Sequence, residues 1–251
     1  MARISGERVS SPDGGFKPTW ERHVAAYAVS ADLLPPDGPV LDLGCGVGHS
    51  YHLLAPRETV GVDVAAEALE GQDRRTVLAD MRALPLSDSS FASAVSVQSI
   101  EHVSDAERVL GEVRRVVEPG GTAIFVTPNR LTFGRPDEII DPYHEREYDQ
   151  HELRALCAGF FDSVELYGLF GSDRYLALVA SERARLDRLL RLDPLRLRRF
   201  VPRAARRRLY DWRLRRERSA DDPRAEAIEV DDFRLDDGPL DEALDLVAVC
   251  R

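Results

Sequence analysis

Lysine is all but missing from this 251-residue sequence: Lys17 is the one lysine among 34 basic residues. Arginine is therefore the default cation, and its abundance alone is weak evidence for phosphate recognition. Cysteine is scarce too. Cys45, Cys157 and Cys250 stand far apart, with no C-x-x-C and no Cys/His metal spacing. That excludes a disulfide framework or a zinc site of ordinary pattern, and no metal is expected; the three read as small buried thiols. No apolar run approaches the ~20 residues that cross a bilayer. The stretch Met1 to Trp20 is polar, with glycine, proline and serine, and lacks a signal-type apolar core. A cytoplasmic protein is expected. No internal repeat is visible.

What is present is ordinary for a folded domain. Hydrophobic residues make up 43% and charged residues 31% of the chain, enough for one sizeable α/β core with appendages. The net charge of -10 argues against a general nucleic-acid binder, but it is unevenly spread. Fifteen arginines lie between Arg183 and Arg218, so a basic segment follows a strongly acidic remainder.

From about residue 38, short β-rich runs alternate with helical stretches, the pattern of a parallel sheet covered by helices. Strands are expected at Val40–Leu43, Thr59–Val64, Thr76–Ala79, Ala92–Val97, Thr122–Thr127, Ser163–Leu169 and Ala243–Cys250. Their nearly continuous apolar character suits burial on both faces. Helical spacing of Val109, Leu110, Val113, Val116 and Val117 marks a helix that Pro119-Gly120-Gly121 ends. Other helices are expected at Thr19–Leu34, from His49 to Leu54, at Gln150–Phe160, from Asp193-Pro194 onward, and at Arg203–Arg218. The fold expected is a doubly wound, Rossmann-like α/β sheet of seven strands with the last antiparallel. Its parts would be a leader and lid helix (1–36), a core (37–180), an arginine-rich helical insertion (181–222) and a segment carrying the last strand (223–251).

The chemistry concentrates where the first strand ends, at Asp42-Leu43-Gly44-Cys45-Gly46-Val47-Gly48. Glycines there permit positive φ and a close backbone approach to a ligand. The second strand ends in Asp63, placed to accept hydrogen bonds from two ribose hydroxyls, as in nucleoside-binding α/β folds generally. A dinucleotide fingerprint would need glycine where His49 stands. Asp42 would repel a pyrophosphate but suits a cofactor bearing sulfonium and ammonium groups. Electrostatics favours S-adenosylmethionine over NAD.

The run from Val40 to Asn129 resembles the core of the small-molecule class I methyltransferases, including those acting on quinones and sugars. Asp42-x-Gly44-x-Gly46-x-Gly48 matches their first motif and Asp63 their ribose acid. Ala79-Asp80-Met81 matches the segment flanking adenine, with the Asp80 carboxylate expected near the exocyclic amine. Pro85-Leu86 and Ser89–Phe91 match the loop into the fourth strand, although Ala92 stands where the family often has aspartate. Val97-Gln98-Ser99-Ile100-Glu101-His102-Val103 is similar to the segment beside the methyl donor, and Glu118–Gly121 with Ile124–Asn129 to the fifth-strand region. The resemblance implies S-adenosylmethionine as cofactor and S-adenosylhomocysteine as product, held by Asp42, Gly44, Cys45, Gly46, Gly48, Asp63, Val64, Ala79, Asp80, Met81, Gln98, Ser99 and Tyr27.

On the acceptor side a hydroxyl nucleophile needs a base. His102 follows strand four, where the family lines its reaction pocket; it reads equally as a helix-start histidine bonded to backbone. Glu101 reads as structural or solvent-facing. The loop Asp141-Pro142-Tyr143-His144-Glu145-Arg146-Glu147-Tyr148 resembles a Pro-Tyr-His-x-x-Glu-Tyr stretch of methyltransferases in glycan and natural-product pathways. It could hold a polar, ring-bearing substrate or anchor itself on the next helix. His144 is the second base candidate, and Asn129, Arg130, Tyr143 and Tyr148 the candidate substrate contacts. Trp20, His23 and Tyr27 lie on the first helix, a lid in related enzymes and equally an ordinary packed helix. The expected function is methyl transfer to a small-molecule hydroxyl, such as that of a glycan, natural-product or lipid-linked intermediate. The alternatives are a non-catalytic cofactor-binding scaffold and an RNA methyltransferase. For the insertion, three roles compete: a substrate cap or homodimer contact, a peripheral contact of 181–218 with an anionic membrane, and a track for RNA.

Overall fold

The computed structural model describes residues 17–133, 139, 141–190, 201–218 and 222–251. The leader and the Asp193-Pro194 helix start lie outside the described residues. Among the described residues eight strands form one sheet: β1 (Val40–Leu43), β2 (Thr59–Asp63), β3 (Arg75–Leu78), β4 (Phe91–Val97), β5 (Val117–Pro128), β6 (Val164–Gly171), β7 (Phe233–Asp236) and β8 (Asp245–Cys250). Their order is β3-β2-β1-β4-β5-β8-β6-β7. The first five are parallel; β8 runs antiparallel between β5 and β6, as expected for the last strand.

The expectation of seven strands was one short. β7 pairs antiparallel with the outer edge of β6, Phe233 opposite Gly171 and Asp236 opposite Gly168. Four residues flanked by acids on both sides carry too little pattern to read as a strand. The open backbone donors and acceptors of β6 are what recruit them.

Alternation along the buried strands feeds two cores. Leu41, Leu43, Val62, Phe125, Leu246 and Ala248 face α3 (Ala106–Val116) and α4 (Gln150–Ala158). Val40, Val95, Val97, Ile124, Val247 and Val249 face the side of α1 (Lys17–Leu33) and α5 (Asp173–Leu190). In α3 the four fully buried aliphatics Val109, Leu110, Val113 and Val116 contribute ~2 kcal/mol each by leaving water. Asp105 caps that helix by accepting from the Arg108 amide at 3.2 Å. Asp149 and Glu152 close a capping box on α4.

Two helical expectations change. The stretch after the glycines forms only a 3-10 turn, Tyr51–Leu54. The arginine-rich part begins inside α5, which runs unbroken past residue 180, and continues in α6 (Arg203–Arg218). A short α7 (Pro223–Glu226), capped by Asp222, leads back to the sheet. α1 packs as a layer of the fold through Ala25, Ala26 and Tyr27.

Candidate functional site

Strand order reverses at the β1/β4 pair, and in doubly wound sheets the crevice outside the carboxyl ends at that point receives ligands. A cleft of about 440 Å³ opens there. It brings together ten of the residues singled out from the sequence: Gly44, Gly46, Asp63, Val64, Ala79, Asp80, Met81, Gln98, Ser99 and His102.

The floor is backbone. Gly46 has φ +52°, and a Cβ built there would meet no protein atom within 4 Å, so the space above it is open to a ligand. Asp63 sets the loop: Oδ2 accepts from the Gly46 amide at 3.0 Å and Oδ1 from the Ala65 amide at 2.8 Å. A carboxylate has about four acceptor positions, enough to hold the loop and a ribose diol together. Val64 beside it is 69% exposed, an apolar surface suited to a nucleobase. Asp80 is gripped by Arg82, Nε to Oδ1 at 2.9 Å and Nη2 to Oδ2 at 2.6 Å, which holds its carboxyl below the usual range. These residues fit an adenosyl group.

Gln98 ends β4 in the left-handed region, φ +51°, a conformation that costs a non-glycine residue ~1 kcal/mol or more. Its amide donates to the Val126 carbonyl at 2.8 Å and its Nε2 to Asp245 Oδ1 at 2.6 Å. Arg22 of α1 pairs with the same buried Asp245. The first helix thus reaches the cleft through a buried network; none of its residues lines the wall.

Four residues assigned to the cofactor are not brought to the cleft. Asp42 is wholly buried, accepting from Tyr27 Oη at 3.0 Å and lying 2.8 Å from Arg74 Nη2. Gly61, its neighbour on β2, makes room for that guanidinium, because a Cβ there would lie 2.7 Å from Nη2. Burial still raises the Asp42 carboxyl above its usual value, with Arg74 opposing. The pair carries no net charge, so Asp42 adds little to the potential in the cleft. Tyr27 is spent on the same pair. Cys45 is buried, its thiol pushed up to about 12 by burial and then by Asp42, which removes any nucleophilic role. Gly48 packs under Gln72.

The acceptor end is built from three segments. Glu101, in the turn Ile100–His102, is 1% exposed rather than solvent-facing. Its Oε2 accepts from Thr127 Oγ1 at 3.0 Å, and its carbonyl takes the amides of Glu145 and Arg146 at 2.8 and 3.2 Å. His102 and His144 then stand with ring centroids 5.0 Å apart, and Phe133 packs on His144 at 5.1 Å. His144 Nδ1 lies 2.9 Å from Glu147 Oε1. Burial works against its charged form, but Glu147, Glu101 and Asp141 together raise its pKa above the ordinary value.

The other acceptor candidates serve the scaffold. Asn129 is fully buried and donates to the Leu240 and Ala243 carbonyls at 2.8 and 2.9 Å. Arg130 pairs with Asp149 and Glu152 of the α4 cap. Tyr143 lies under Arg207 of α6, and Tyr148 is buried beneath Arg146. Arg82, Val103, Ser104 and Glu145 line the cleft without having been singled out. Val103 and Ser104 simply continue the Gln98–His102 motif; Glu145 is carried in by the Glu101 carbonyl, which has no local signature.

Comparison with known proteins agrees. A methyltransferase-domain family matches residues 41–125. A protein of Mycobacterium tuberculosis (strain H37Rv), named a probable S-adenosylmethionine-dependent methyltransferase, is 36% identical over 183 residues, 68% of this chain and 65% of its own length. A malonyl-[acyl-carrier protein] O-methyltransferase of Pseudescherichia vulneris is 31% identical over 170 residues, 62% of this chain and 66% of that protein. The chain therefore spans just under two thirds of these relatives. Among solved structures, a SAM-dependent methyltransferase of Thermotoga maritima superposes with a TM-score of 0.61 at 19% identity, covering 94% of this chain and 95% of its own. That likeness fixes the fold. Over residues 41–125 the chain carries the pattern of a methyltransferase domain, and together with the cleft these matches support a class I S-adenosylmethionine-dependent methyltransferase.

Proposed function

We propose that the protein transfers a methyl group from S-adenosylmethionine to a hydroxyl oxygen of a small molecule. The observation that carries this reading is the Glu101–His102–His144 cluster, which opens through His102 into the cleft that Gly46 and Asp63 floor. The bound cofactor supplies an electrophilic methyl on sulfur. The chain's own part is to align the reactants, exclude water and dispose of the acceptor's proton. Asp63 holds the ribose, Val64 and Met81 offer apolar surface to the adenine, and Gln98 and Ser99 shape the wall at the methyl end. The imidazole–carboxylate cluster makes loss of the hydroxyl proton favourable as the oxygen attacks.

α6 supports a cap role for the arginine-rich segment. Arg207 stacks over Tyr143 at 4.8 Å, and Tyr210 Oη donates to Asp141 Oδ2 at 2.7 Å. The helix thereby braces the loop that carries His144, with Arg207 on its Tyr143 and Tyr210 on its Asp141.

Calorimetry with S-adenosylmethionine and S-adenosylhomocysteine tests the first half: both should bind in the micromolar range, and no binding at millimolar concentration would overturn it. Mass spectrometry after incubation with hydroxylated sugars, phenols and hydroquinones tests the second. Cofactor turnover that yields only N-methylated or C-methylated products would refute the oxygen acceptor.

A further inference from the structure

The acceptor cluster has a property that general-base chemistry does not require. With both imidazoles neutral and the carboxylate ionised, its open polar atoms converge as acceptors. The Tyr143 carbonyl, 3.2 Å from His102 Nδ1, can only accept, so that nitrogen carries the proton. Glu147 Oε1 imposes the same tautomer on neutral His144. Each ring is left with Nε2 as a lone pair. Glu101 Oε2 is satisfied by Thr127, but Oε1 is buried with no hydrogen-bond partner among the described residues. One ligand-type atom from each of Glu101, His102 and His144 lies within 4.8 Å of the other two. A buried anionic oxygen without a donor is costly. Asp141 and Glu147 add further negative potential around His144.

We infer that Glu101, His102 and His144 bind one divalent transition-metal ion at the acceptor end of the cleft. Two imidazole nitrogens and one carboxylate oxygen suit zinc, manganese, cobalt, nickel or ferrous iron; magnesium prefers an all-oxygen set. The surroundings have the form of a ligand-orienting shell: Glu147 and the Tyr143 carbonyl fix the two rings and Thr127 fixes the carboxylate. The absence of Cys/His spacing in the sequence led to the opposite expectation, because the donors come from both sides of β5. The chemical use of the site rests on the methyl-transfer reading: three protein donors leave a position at which an acceptor hydroxyl would coordinate and ionise more easily. Binding of the ion itself does not depend on that reading.

Zinc and cobalt titrated calorimetrically into chelator-stripped protein, without cofactor, provide the test. The expected result is one ion per chain with submicromolar affinity, and no uptake of magnesium at the same concentration. Glu101→Gln and His144→Ala should each weaken zinc binding more than tenfold, and Glu147→Gln about tenfold through the lost orientation of His144. His151→Ala, at an exposed histidine on α4, should change nothing. Retained S-adenosylhomocysteine affinity and thermal midpoint in each variant show that the fold persists. No stoichiometric uptake, or equal uptake by wild type, Glu101→Gln and His144→Ala, overturns the inference. Metal failure with intact cofactor binding sinks this site alone; cofactor failure with intact metal uptake sinks the function proposed above and leaves the site standing.

Discussion

The two ends of the cleft are made in different ways. The cofactor end is assembled from strand termini that neighbour each other in the sheet: β1 delivers Gly44 and Gly46, β2 delivers Asp63, and the segment after β3 delivers Asp80 and Met81. Each residue sits within a short, self-contained motif, and backbone geometry does much of the work. The acceptor end joins a turn after β4 to a loop beyond β5, with α6 behind that loop. It depends on buried side chains that satisfy, or fail to satisfy, one another. A methyltransferase can therefore keep one donor site while changing its acceptor, since the two are held by separate parts of the chain.

The sharpest test of that division sets Asp63→Ala against His144→Ala in cofactor calorimetry. Losing two charge-assisted bonds to a ribose at ~1.5–3 kcal/mol each, together with the hold on Gly46, should cost Asp63→Ala at least two orders of magnitude in affinity. His144→Ala should leave it within about twofold. If both variants fall together, the ends are not independent.

A smaller contrast lies within the glycine loop. Gly46→Ala and Gly48→Ala both force alanine into the left-handed region, at φ +52° and +69°, for ~1 kcal/mol of stability. At Gly48 the new Cβ would also fall on Gln72, whereas at Gly46 it would enter the open cleft floor. Urea unfolding should thus show the larger loss for Gly48→Ala, and calorimetry the larger affinity loss for Gly46→Ala. The reverse pattern would misplace the cofactor.

The smallest effect lies far from both ends. Asp232 is held at about 2, first by its hydrogen bonds with Arg174 and then by Ser172 and the Glu229 amide, against the cost of burial. A depressed carboxyl adds stability that is full above the unfolded value near 3.8 and lost as pH falls toward about 2. Because Arg174 is more than half exposed, screening should leave this at ~1 kcal/mol. Asp232→Asn should abolish that part of the acid dependence in denaturant titrations between these pH values and leave cofactor binding unchanged. An unaltered acid profile would remove Asp232 from the account.

Much of the parallel half was legible in advance. Val40–Leu43, Thr59–Asp63 and the Ala106–Val116 helix follow directly from apolar spacing, caps and glycines. The errors share a cause. β7 exists because β6 has a free edge, and the turn at Tyr51–Leu54 stays short inside the packed loop between β1 and β2. Asp42 was read as facing a cationic cofactor because nothing near it in the chain shows Arg74 arriving over Gly61. Glu101, open in sequence between a structural and a solvent-facing role, is 1% exposed in the fold and takes the first.

The sequence by itself determined the alternation of buried strands and helices, the glycine turn and the acid at the end of the second strand. Each is a matter of local φ, hydrophobic period and residues adjacent in the chain. Tertiary structure decided which carboxylates face the cleft, which are neutralised beneath it, and how Glu101, His102 and His144 come together. Charge and hydrogen-bond satisfaction act through space across distant segments, and only the folded chain sets those distances.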